Sequence, residues 1–255
     1  MSYKTIFIVL LSVSCILASP EETYQPTYDM DVLLRYINIV RTQPDSFLNG
    51  VLKQYYLRDT DPSTNIVVPY SQQFTEKVVD LMDEIHEEIK NGSLPAVNQV
   101  KLDLGLTWVA HKHANLLANK FHIKAHVYPN GTGLAERLFE YSTSLKRYGE
   151  VVSRNRIRQK YEQNIIAEFF LDDDVSERGH RFALMKPQFT KMGVGIGLSS
   201  DPSDPNMYFV IVFADDTFVA QEEKINCQMK EQCNWLKHLR DNNIADPCLN
   251  EAPQN

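Results

Sequence analysis

Between Met192 and Leu198 the chain reads Met-Gly-Val-Gly-Ile-Gly-Leu, and this stretch restricts the fold more than any other. In a strand, Met192, Val194, Ile196 and Leu198 point to one face and Gly193, Gly195 and Gly197 to the other. The second face has no Cβ atoms, so something must approach its backbone closely. Downstream, Met207 to Ala214 is apolar on both alternating faces, which calls for cover on both sides. Pro202 and Pro205, within Ser199 to Asn206, supply turn chemistry that joins the two strands as a hairpin. A sheet layered on both faces follows, which places the chain in the α/β class.

The remaining pattern is mostly helical. Leu33, Leu34, Ile37 and Val40 recur at helical spacing until Pro44, and Phe74, Val78, Leu81, Met82, Ile85 and Ile89 mark a second amphipathic helix. Its outer Glu84, Glu87 and Glu88 read as a solvated surface. Leu106, Val109, Ala110, His113, Leu117 and Phe121 form a third stripe, with His113 as a core histidine. His122 and His126 are four residues apart, a spacing that can hold a metal, but the His-Glu-x-x-His pattern of zinc proteases is missing. Pro129, Gly131 and Gly133 end the helix and leave His126 at the mouth of a loop. Leu134 to Glu140 resumes as a short helix. Arg147, Arg154, Arg156, Arg158 and Lys160 read as a solvated basic face, or as a docking patch for an acidic partner. Asp174 is placed to cap a helix with Glu177 as its third residue; that helix carries His180 and stops at Pro187.

Several function classes drop out on composition. The net charge of −7 disfavours nucleic acid and anionic membrane surfaces. Lys4, the apolar run Ile6 to Leu11 and the small residues Ala18 and Ser19 have the form of a secretory signal peptide over residues 1–19. Beyond it no stretch reaches the ~20 apolar residues of a membrane span, so an exported, soluble protein is expected. Cys15 leaves with the signal, and Cys227, Cys233 and Cys248 allow at most one internal disulfide. Asn91-Gly92-Ser93 and Asn130-Gly131-Thr132 are glycosylation sequons. The core is expected to be complete by Asp216, with 217–255 a polar, separable tail.

Four pieces, in order, resemble the CAP superfamily of cysteine-rich secretory proteins, venom antigens and plant pathogenesis-related proteins. Asn38 to Arg41 resembles the opening Asn-x-x-Arg helix, and Leu106 to Lys120 the helix before the first family histidine. Ala125-His126 with Gly131 and Arg137 resembles the segment bearing that histidine. Asp172-Asp173, Arg178-Gly179-His180-Arg181 and Gly193-Val194-Gly195 are similar to the bacterial-type second histidine motif. The resemblance spans residues 31–216 and implies a three-layer α/β/α sandwich with a cavity of two histidines and two glutamates. By it, His126 and His180 are the cavity histidines and the candidate metal ligands, for zinc or another divalent ion. The family's Gly-Glu-Asn-Ile is matched to Glu162-Gln163-Asn164-Ile165, which puts Gln163 and Asn164 in the cavity. Asp172, Asp173 and Glu177 are the carboxylates nearest the second histidine. The implied function is a secreted binding protein for a small lipid-like or sterol-like ligand, or for an extracellular partner protein. A divalent-metal-dependent hydrolase using the same cavity is the alternative.

Overall fold

The computed structural model describes residues 29–53, 72–156, 162–173, 177–201, 206–226 and 228. The signal peptide, the Asp174 cap, the Pro202–Pro205 turn and all four cysteines lie outside them. Helix α1 (Met30–Thr42) is capped by Asp29, whose carboxylate accepts the backbone N–H groups of Asp31 and Val32. Pro44 then starts the short α2 (Pro44–Phe47). In chain order there follow α3 (Gln72–Lys90), β1 (Lys101–Leu102), α4 (Leu104–Leu116), α5 (Leu134–Phe139), β2 (Tyr148–Arg156), α6 (Glu162–Leu171), α7 (Gly179–Leu184), β3 (Lys191–Leu198) and β4 (Asn206–Ala214).

The strands form one mixed sheet in the order β1-β3-β4-β2, with β1 parallel to β3 and the other pairs antiparallel. Met207, Phe209, Ile211 and Phe213 pack with α1, α3, α6 and α7 on one side. Tyr208, Val210, Val212 and Ala214 pack with α4 and α5 on the other. The three-layer expectation holds, and β4 is buried along almost its whole length.

The bare glycine face lies directly beneath α4. A Cβ on Gly193, Gly195 or Gly197 would fall on the helix backbone itself, at Leu106, Ala110 and Ala114. Opposite, Asn38 and Arg41 fix α1. Asn38 exchanges two hydrogen bonds with the Val100 backbone, at 3.1 and 2.8 Å. The fully buried Arg41 donates to the carbonyls of Asn98, Leu184, Lys186 and Phe189. Burial lowers its pKa to about 10, which leaves it charged at neutral pH.

Residues 148–156, within the Arg147–Lys160 stretch read as a solvated basic face or an acidic-partner patch, form the edge strand β2; Arg147 and Arg154 are exposed, the Arg154 guanidinium lies over the Tyr208 ring, and Arg158 and Lys160 lie outside the described residues. Two expectations change here. Glu84 and Glu88 are not merely solvated: Arg178 and Arg181 pair with Glu84, and Arg181 also with Glu88. The chain also does not leave the core at Asp216. Phe218 and Ile225 are buried beside Tyr141, and the Tyr141 hydroxyl donates to Gln228 Oε1 at 2.7 Å. A chain ending at Gln221 is therefore expected to melt lower than the full chain. Losing Ile225 alone removes about 1.5–3 kcal/mol of apolar burial, and unchanged thermal unfolding would show the tail to be separable after all.

Candidate functional site

The most connected polar group is one that the sequence reading does not single out. Glu150 projects from β2 on the α4 side, since its register partner is Val212, and its side chain is only 2% exposed. Its Oε1 accepts from His126 Nδ1 at 2.9 Å and its Oε2 from Arg137 Nη2 at 2.7 Å. Arg137 extends from α5, donates Nη1 to the His126 carbonyl at 2.9 Å, and lies over the Tyr128 ring. That helix starts where Glu136 Oε2 accepts the Gly133 backbone N–H. A loop histidine and a helix arginine thus converge on one strand carboxylate.

Burial alone would raise the Glu150 pKa. The hydrogen bond from His126 and the charges of His113 and Arg137 outweigh it, so the group lies below its ordinary range. An ionised carboxylate only accepts, so His126 carries its proton on Nδ1. The ring is 53% exposed and makes no other hydrogen bond among the described residues, which leaves its Nε2 lone pair facing solvent. This is how a carboxylate fixes the tautomer and aim of an imidazole that must accept a proton or bind a ligand.

His113 completes the cluster from beneath. It is fully buried, donates Nε2–H to the Ala125 carbonyl at 3.0 Å, and places Nδ1 at 3.3 Å from Glu150 Oε2. Burial, opposed by the Glu150 charge, lowers its pKa to about 4, so it is neutral near pH 7. It is a core histidine, as its place in the helical stripe predicts.

His180 forms a second pair. Asp172 Oδ1 accepts from His180 Nδ1 at 2.8 Å, while Oδ2 accepts the backbone N–H groups of His180 and Arg181 at 2.8 and 3.2 Å. Asp172 therefore caps α7 across eight positions and also orients the ring. The helix begins at Gly179, later than the Asp174–Glu177 capping box predicts, because Arg178 is left-handed and turns the chain. Arg178 and Arg181 hold that turn by donating to Glu84 and to the carbonyls of Asp172, Phe170 and Leu171. The His180 ring is 12% exposed and meets the edge of Phe169, which contacts Phe209.

The two histidines belong to separate hydrogen-bonded pairs. Phe209, behind His180, projects from the sheet face opposite Glu150, and no hydrogen bond, ion pair or ring contact joins the pairs among the described residues. They flank the edge strand instead, for α7 packs against β2. Gln163 accepts a hydrogen bond from the Tyr36 hydroxyl of α1 at 2.7 Å, and Asn164 is buried in α6; among the described residues neither bonds to either histidine. Asp173 pairs with Lys77, and Glu177 is exposed with no contact to His180 among the described residues. Among the described residues the glutamate bonded to His126 is Glu150, preceded by Gly149 on β2, and no hydrogen bond joins residues 162–165 to that ring. The Gly149-Glu150 dipeptide was the available signal.

The sequence from 34 to 213 matches the family described as "CAP: Cysteine-rich secretory protein family". The chain belongs to the CAP family. No curated protein matches it. Among solved structures this CAP domain is similar to an outer surface protein from Borrelia burgdorferi, at 21% identity over 55% of this chain and 92% of that one, with a TM-score of 0.38. It is also similar to an extracellular protein containing a SCP domain from Bacillus anthracis, at 18% identity over 59% and 45%, TM-score 0.33. Schistosoma mansoni venom allergen-like protein 4 is 11% identical over 57% and 94%, TM-score 0.34. No group of three or more His, Cys, Asp or Glu among the described residues is arranged to hold a metal ion, and each of the two rings gives its Nδ1 to a carboxylate of its own. No helix among those residues is long and apolar enough to cross a membrane.

Proposed function

We propose that the chain is an exported CAP-domain binding protein whose ligand surface centres on His126, and that the ligand is small and lipid-like with a polar head. The observation that carries this reading is an exposed imidazole, aimed by the buried Glu150, with its Nε2 outward. Ile123 and Val127, exposed apolar residues on the same segment, supply the hydrophobic side of such a surface. Nε2 suits a sterol hydroxyl as acceptor, and the protonated ring suits a fatty-acid carboxylate. Export is supported by the leader at residues 1–19 and by the family's secretory description. The hydrolase alternative requires a third strong metal ligand beside the histidines, and no group of three or more His, Cys, Asp or Glu among the described residues is arranged to hold a metal.

The test is direct binding of a radiolabelled sterol and a long-chain fatty acid to wild type, His126→Ala and His180→Ala. His126→Ala is expected to lose about tenfold or more in affinity, the worth of one good polar contact, while His180→Ala stays near wild type. Undiminished affinity in His126→Ala, or no binding by wild type to either probe, removes this reading.

A further inference from the structure

We propose that Asn91 and Asn130 are N-glycan attachment sites and that the glycan on Asn130 stands at the rim of the His126 surface. Both asparagines lie in exposed turns. Asn91 follows α3, and its Oδ1 accepts the backbone N–H of Ser93 at 2.9 Å and the Ser93 hydroxyl at 2.7 Å. Asn130 Oδ1 accepts the Thr132 N–H at 3.1 Å. In each turn the intervening glycine has positive φ, 80° at Gly92 and 86° at Gly131, and a Cβ there would meet nothing within 4 Å. The turns therefore project into open space. In both, Nδ2 makes no hydrogen bond among the described residues and is the amide atom left outward.

Turn chemistry accounts for the asparagines and glycines without any modification, and at Asn91 it also employs the Ser93 hydroxyl, which bonds to Asn91 Oδ1 and the Glu88 carbonyl, but at Asn130 it does not ask for a hydroxyl two residues on. Thr132 Oγ1 makes no hydrogen bond among the described residues, so the fold gives that hydroxyl no duty. A sequon gives it one. In the transfer, Nδ2 bonds to C1 of an oligosaccharide carried on a polyisoprenyl pyrophosphate. The C1–O bond to the pyrophosphate breaks, the pyrophosphate leaves with the electron pair, and the amide gives up one proton. Asn130 sits in the loop that His126 opens, held by Tyr128 and Thr132 through a 2.9 Å backbone bond, so a bulky solvated chain there flanks the imidazole.

This inference rests on the export reading, and the experiment separates the two. The full chain is expressed in eukaryotic secretory cells with its own leader and, in parallel, with a foreign one. The protein is then treated with peptide-N-glycosidase. A downward mobility shift is expected, with aspartate appearing at 91 and 130 on peptide mapping. N91Q and N130Q each lose part of the shift, and the double variant loses all of it. A shift under the foreign leader alone upholds the sites and sinks the export reading. Secreted protein with no shift under either leader, and asparagine retained at both positions, overturns the proposal.

Discussion

Replacing Glu150 by glutamine is expected to cost about 3–5 kcal/mol, because it leaves the Arg137 guanidinium buried without its counter-charge. Arg137 is only 6% exposed and its buried Nε already lacks a hydrogen-bond partner, so it cannot turn to water for compensation. The same change frees the His126 ring from its fixed orientation. The loss is expected to depend on pH. Glu150 is held below its ordinary 4.5, so its contribution is fully present above that value and fades as pH falls further. His113, lowered from 6.5 to about 4, acts in the same direction: the unfolded chain takes up its proton first, and stability falls between those two values. Wild-type melting temperature should therefore decline from pH 6.5 downward and steepen below 4.5. Glu150→Gln should start lower and lose the steeper limb. Coincident curves for the two proteins would show that the cluster is not coupled to folding.

Gly195→Val is expected to prevent cooperative folding, whereas Gly149→Val should leave a folded but weakened protein. The obstacle at Gly195 is the α4 backbone at Ala110 and His111, which cannot rotate out of the way. The cost therefore exceeds the ~1–3 kcal/mol of ordinary overpacking and consumes much of a stability of about 5–15 kcal/mol. Gly149 is packed as well, with the Phe189 ring tip 2.8 Å from an added Cβ. That ring, stacked on Phe213, is a side chain and can shift, so its cost should stay within the ordinary range. Thermal melts of both variants decide the matter, and equal melting temperatures would count against the close helix-on-sheet contact.

What was legible in the chain divides along a physical line. Features encoded by local periodicity could be read: the glycine stripe of β3, the doubly covered β4, and the helices holding Ile37, Ile85 and Val109. His126 and His180 stand out because each lies beside a break in such a pattern. Strand β2 does not, since Glu150 and Arg154 stand on the same face as Val152 and break the apolar alternation by which a central strand is read. Apart from the Gly149-Glu150 dipeptide, Glu150 is legible through its hydrogen-bond partners 13 and 24 positions away, contributed by a helix and a loop. Likewise Asp172 caps α7 across a left-handed turn, a distance no local capping rule spans. The buried tail contact is not legible because Phe218 and Ile225 are scattered apolar residues in polar text.

The glycine-floored contact also limits where a guest of the kind proposed could enter. With α4 lying on the bare backbone of β3, the two layers are separated by no side chains at Gly193, Gly195 and Gly197, and nothing can be threaded between them. Entry through the middle of the sandwich on that side is closed by the main chain itself. At the margin, β2 carries Glu150 in place of an apolar residue, and the loop bearing His126 bonds to it. A guest of the kind proposed would have to come in laterally, along the outer strand, past the Glu150–Arg137 pair that also holds the fold together.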